Sequence, residues 1–177
     1  MAIEMGEYLV GAYLKMVLNC DVVDFGVRFP GGHLRGLQEI DVMGFKFADR
    51  SVYMCEAVTH LTGACYGDYP RTVEKVKAKM AFHKAYARDR LDSFPVRHSM
   101  LWAPWVASGL RAKLAQIGGL ELVVNEDYAQ RVDLLLELAG NRVEDTGNPA
   151  FRVLQILKHV RRRHNGCDGP QHAGSPA

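Results

Sequence analysis

Two short apolar segments flank a turn-like stretch in the first third of this chain, and their pairing constrains the fold more than any other feature. The first is Glu39-Ile40-Asp41-Val42-Met43-Gly44-Phe45 and the second is Val52-Tyr53-Met54-Cys55-Glu56-Ala57-Val58, with Phe47-Ala48-Asp49-Arg50 between them. Folded as a symmetric hairpin, they place Asp41 directly opposite Glu56. Directly opposed residues of an antiparallel pair share a face, with Cβ atoms roughly 4.5–5.5 Å apart. Met43 then faces Met54, Phe45 faces Val52 and Glu39 faces Val58, so this face is apolar toward the turn and acidic at the far end. The other face, with Ile40, Val42, Tyr53, Cys55 and Ala57, is expected to pack as core against a helix. Two carboxylates this close repel each other unless a cation or a proton joins them. That cost points to a site for a hard divalent metal.

The surrounding sequence supplies a frame for the hairpin. Residues 3–19 carry Met5, Leu9, Tyr13, Met16 and Val17 at helical spacing. Residues 20–29 have strand composition and end at Pro30-Gly31-Gly32-His33, a break in the pattern. After the hairpin, a loop runs through Thr62-Gly63 to Tyr66-Gly67-Asp68-Tyr69-Pro70, and a long helix is expected over 71–91, stopped by Asp92-Ser93-Phe94-Pro95. A strand over 96–102, a helix over 105–117 and a strand over 120–124 follow. Helices over 127–139, with Asn125 as N-cap, and over 150–163 complete the series. Trp102 and Trp105 are expected to close the core at a strand-to-helix turn. The fold class is therefore α/β: a mixed central sheet, made of a three-strand meander plus a strand-helix-strand extension, flanked by helices. The chain's 177 residues suit one domain, taken as 1–163. The 164–177 tail has little to bury and is expected to be disordered.

Composition excludes several classes. No apolar run approaches the roughly 18 residues of a membrane span. The first residues, Met1-Ala-Ile-Glu-Met-Gly-Glu, lack the basic stretch of a secretory signal. Cys20, Cys55, Cys65 and Cys167 form no CxxC pair and are expected to be reduced thiols in a cytoplasmic protein. There is no GxSxG elbow and no P-loop lysine pattern. Net charge is only +2, but cations cluster: Lys75, Lys77, Lys79, Lys84, Arg88 and Arg90 on one helix, Lys158, Arg161, Arg162 and Arg163 on another. Such clusters suit phosphates or, equally, a solvated helix face.

The acidic cluster has the makings of a Mg²⁺ site. Mg²⁺ takes six oxygens and commonly only one or two carboxylates, the rest being water and substrate phosphate. Asp41, Glu56 and the Ala57 carbonyl would supply enough. Glu4 and Glu7 share a face of the first helix and offer a third acid if that helix packs on the sheet.

The helix with Glu7, the strand Gly36-Leu37-Gln38-Glu39-Ile40-Asp41-Val42, the strand Met54-Cys55-Glu56-Ala57-Val58 and the long helix after it resemble the PD-(D/E)XK nuclease superfamily. The pattern is most similar to its restriction-endonuclease-like, Holliday-junction-resolvase-like branch. At motif level the resemblance covers residues 1–91, and to 124 only by element order. It implies that Asp41, Glu56 and the Ala57 carbonyl bind Mg²⁺, or Mn²⁺ in its place, that Glu7 assists, and that DNA is the substrate. A homodimer is left open. Where the motif carries a lysine, this chain has Val58. The replacements open to it are His60, two residues further along the strand, or Lys75, Lys77 or Lys79 from the next helix. Arg71, Lys75, Lys77, Arg161 and Arg162 are the expected nucleic-acid contacts. The reading that follows is a metal-dependent DNA endonuclease, with a nuclease-like binding protein that no longer cuts as its alternative.

Overall fold

The computed structural model describes residues 3–29, 39–61, 63–64 and 66–165, with side chains as far as residue 162. Ten elements follow in order: α1 (Met5–Met16), β1 (Val22–Arg28), β2 (Glu39–Lys46), β3 (Ser51–Ala57), α2 (Tyr69–Arg90), β4 (Val96–Ala103), α3 (Ser108–Leu114), β5 (Leu120–Val124), α4 (Glu126–Asn141) and α5 (Pro149–Asn165). The strands form one sheet in the order β1-β2-β3-β4-β5. β1, β2 and β3 are an antiparallel meander, whereas β3–β4 and β4–β5 pair in parallel. Parallel neighbours need a crossover, and α2 and α3 provide the two. This is the mixed, helix-flanked sheet expected from the element order. Among the described residues no helix is long and apolar enough to cross a membrane.

The β2–β3 hairpin has the expected register. Met43 lies opposite Met54, Phe45 opposite Val52 and Val42 opposite Cys55, and beyond the last of these pairs the Asp41 carboxylate accepts from the Ala57 N–H. The turn is closed locally: the Asp49 carboxylate accepts from the Ser51 N–H at 3.1 Å, and Arg50 takes a positive φ of 54°.

Helices cover both faces, and the alternation of each strand decides which side chains meet which helix. Val42, Cys55, Met100, Trp102 and Val123 pack with α1, α4 and α5; Trp102 meets Tyr13 edge-on. Leu101, Ala103 and Val124 pack with α2 and α3, and Met43, Val52 and Met54 pack with Ala87 of α2. Ile40 departs from the expected alternation. It joins Met43 and Met54 rather than Val42. The departure lies beside Gly26 of β1, where φ is +62° and an added Cβ would sit 2.9 Å from the Glu39 carboxylate. Only glycine suits both the backbone and the space there.

α2 starts where its sequence predicts. Asp68 is the N-cap, its carboxylate accepting from the Arg71 N–H at 2.8 Å, and Pro70 sits in the first turn. Its buried positions are Thr72, Val76, Met80, His83 and Ala87, one helical stripe. Three expectations are corrected. Asn125 does not cap α4 with its side chain; its amide brackets Val106 instead, accepting from the Val106 N–H at 2.7 Å and donating to the carbonyl at 2.9 Å. The 105–117 helix shortens to α3. Trp105 is half exposed, lying over Gly63 rather than in the core. The helical span of α5 reaches Asn165, and the remainder of the expected tail, 166–177, lies outside the described residues, as do the glycine-rich stretch 30–36, Cys65 and Cys167. Cys20 and Cys55 are free and buried.

Candidate active site

The acidic end of the hairpin opens into a cavity of about 30 Å³ on the α2 side of the sheet, lined by Asp41, Glu56, Val58, Tyr66, Lys75 and Lys79 among others. That volume holds on the order of one or two water-sized groups. Both carboxylates come within reach of one lysine of α2.

The four oxygens divide in a regular way. Asp41 Oδ2 accepts from the main-chain N–H of Ala57 at 2.8 Å. Glu56 Oε1 meets His83 Nε2 at 2.9 Å. The remaining oxygens turn toward one amine: Lys79 Nζ is 2.7 Å from Glu56 Oε2 and 3.8 Å from Asp41 Oδ1. The same amine donates to the Glu39 carbonyl at 2.8 Å. Lys79 and His83 lie four residues apart on α2, so both reach down from one face of the helix.

Electrostatics follow from this crowding. Burial, and then the neighbouring Glu56 charge, push the Asp41 pKa from its ordinary 3.8 to about 7, although Lys79 and the Ala57 N–H pull the other way. Burial works against a charged Lys79, but Glu56 and Asp41 together outweigh it and hold its pKa above the usual lysine value. Tyr66 at the cavity wall is raised by burial and then by the two acids. Lys75 stacks on the Tyr66 ring, Nζ 3.5 Å from its centroid, and its pKa is lowered by burial and by Lys79.

The other expected residues are distributed as follows. Glu7 lies on α1, on the opposite layer but at the same end of the sheet. Burial raises its pKa, Glu39 and Glu56 adding to the effect, and its carboxylate accepts from the Glu4 N–H at 3.3 Å. It does not line the cavity. His60 is exposed beyond the end of β3, where its carbonyl accepts from the Gly63 N–H, and it does not line the cavity either. Val58 does. Arg71 and Lys77 are exposed on α2 and do not line the cavity. Arg161 and Arg162 end α5, across the sheet from α2, where Arg162 donates to the Gly140 carbonyl. The two basic clusters therefore do not form one surface.

His83 was not among the expected residues. The available signal was its phase: it falls on the stripe of Val76, Met80 and Ala87, where an apolar side chain belongs.

Two carboxylates on adjacent strands, with one oxygen of each free of any neutral donor, suit a hard dication that takes its other ligands from water or phosphate. Burial first, and then the Glu56 charge, raise the Asp41 pKa, and a cation at the site would oppose both. Among the described residues no group of three or more His, Cys, Asp and Glu is placed to hold a metal ion, so two protein carboxylates are the most such an ion would find. Comparisons with family models, with curated proteins and with solved structures find no match for this chain.

Proposed function

We propose that this chain is a Mg²⁺-dependent nuclease of restriction-endonuclease-like organisation that hydrolyses phosphodiester bonds of DNA. The observation that carries the reading is the convergence of Asp41, Glu56 and Lys79 on one small cavity at the end of a sheet. The motif lysine is absent at Val58, and the amine of Lys79 stands beside the acid pair from a neighbouring helix. That supports Lys79, rather than His60, as its functional replacement.

A dication held by Asp41 and Glu56, with Mn²⁺ able to replace Mg²⁺, would supply charge stabilisation at phosphorus and a more acidic water. The protein's own part is positional. Ala57 N–H and His83 fix one oxygen of each acid. Lys79, kept protonated by its acidic neighbours, places a positive charge where a scissile phosphate gathers negative charge. Arg71, Lys75 and Lys77 give α2 the cations for a phosphate backbone, and affinity resting on them falls steeply with salt.

Cleavage of duplex, branched and single-stranded DNA in Mg²⁺ or Mn²⁺ tests this, with Asp41→Ala and Glu56→Ala as controls. Cutting that persists in both variants overturns it. A second reading, a DNA-binding protein of the same fold that does not cut, is favoured by one observation: the Lys79 ammonium already lies between the carboxylates and partly satisfies them. DNA binding with no cleavage in either metal selects that reading.

A further inference from the structure

We propose that His83 is a positioning residue for Glu56, holding one carboxylate oxygen so that the other stays directed at the cation site. The proposal rests on the reading that Glu56 helps to hold a dication. It starts from an anomaly of packing. His83 is fully buried on a stripe of α2 whose other members are Thr72 and the apolar Val76, Met80 and Ala87. Among the described residues its buried Nδ1 has no hydrogen-bond partner. A buried polar atom left unpaired is a cost that a leucine at the same position would not carry. Its other ring nitrogen makes a single polar contact, to Glu56 Oε1 at 2.9 Å.

That contact has a counterpart across the hairpin. Asp41 has one oxygen tied to the Ala57 N–H and the other turned to Lys79; Glu56 has one oxygen tied to His83 and the other turned to Lys79. His83 does for Glu56 what the main chain does for Asp41. A proton on Nε2 lets the ring donate to the carboxylate oxygen and hold it in place. Groups that orient a ligand in this way typically change metal affinity 10–100-fold when removed.

The test uses the full chain and measures Mn²⁺ binding by calorimetry, ion-free thermal melting and DNA cleavage for the wild type and three variants. His83→Leu fills the same space without a donor. His83→Gln places an amide N–H the same number of bonds from Cα as Nε2, whereas His83→Asn reaches only as far as Nδ1. The expected result is a roughly 10–100-fold loss of Mn²⁺ affinity in His83→Leu and His83→Asn, recovery to within a few-fold in His83→Gln, and an ion-free melting temperature for His83→Leu equal to or above that of the wild type. Wild-type affinity in His83→Leu, with affinity lost in Asp41→Ala, overturns the role of His83 and leaves the metal reading standing. A wild-type protein that binds no Mn²⁺ overturns both. Affinity and melting temperature falling together in His83→Leu, with Gln restoring only the latter, reduces His83 to a packing residue and also overturns the proposal.

Discussion

Replacing Asp41 with asparagine keeps the side chain's shape and its acceptor for the Ala57 N–H while removing the charge. The folded protein holds this carboxyl at about 7 rather than 3.8, through burial and the Glu56 charge. Between those two values the folded state binds the proton and the unfolded state does not, so stability falls as pH rises from about 4 to about 7 and then levels off. The gap corresponds to about 4 kcal/mol at pH 8, at about 1.4 kcal/mol per pH unit. The side chain is 21% exposed, and solvent screening there brings the expected gain from Asp41→Asn to about 2–4 kcal/mol. For a domain of this size that raises Tm by about 5–15 °C at pH 8. Near pH 4 the two proteins should melt together. Mg²⁺ should raise the wild-type Tm at pH 8 by mass action and leave the variant unmoved. Thermal melts from pH 4 to 8, with and without Mg²⁺, measure all of this. A variant less stable than the wild type at pH 8, with an unchanged pH slope, would refute the account of a carboxyl raised by burial and by the Glu56 charge.

Lys79→Met removes the amine that Glu56 and Asp41 share; the Asp41 pKa should climb above 7 in a carboxyl-detected NMR titration, and DNA cleavage should be lost while the fold is kept. Arg71→Ala and Lys77→Ala should each weaken DNA binding and lower the salt slope by about one, measured by fluorescence anisotropy, whereas Arg161→Ala, across the sheet, should leave both unchanged. Gly63→Ala should cost about 1–3 kcal/mol in a denaturant melt, because φ is +110° and the new Cβ would meet the Trp105 ring at 2.4 Å.

The hairpin was legible because its two halves share one hydrophobic rhythm about a short turn, and register follows from that symmetry. The nearness of Asp41 and Glu56 follows the same symmetry, and both reach Lys79. What lay hidden depends on contacts between elements. Lys79 sits at the margin of the α2 stripe marked by Val76 and Met80, and sequence spacing alone leaves it equally free to point at water. Its aliphatic stem crosses the buried rim and delivers the amine to two acids, which only the packing of α2 on the hairpin decides. His83 was missed because a histidine within a lysine-rich helix draws no notice until the helix phase shows it facing inward. Arg161 and Arg162 share a basic composition with the α2 cations; the sheet between the two runs is invisible in a linear pattern. Asn125 looked like a cap because asparagine favours that position, but its amide finds a better pair of partners in Val106.

Among the described residues the charged side chains lining the cavity are Asp41, Glu56, Lys75 and Lys79, and together with the Glu39 carbonyl that receives Lys79 and the His83 ring against Glu56 they belong to one segment, 39–83, in the first half of the chain. β4 and β5 contribute apolar wall and sheet neighbours but no charge. During synthesis, then, the hairpin and α2 can bring the acids and their amine together before the two parallel strands exist.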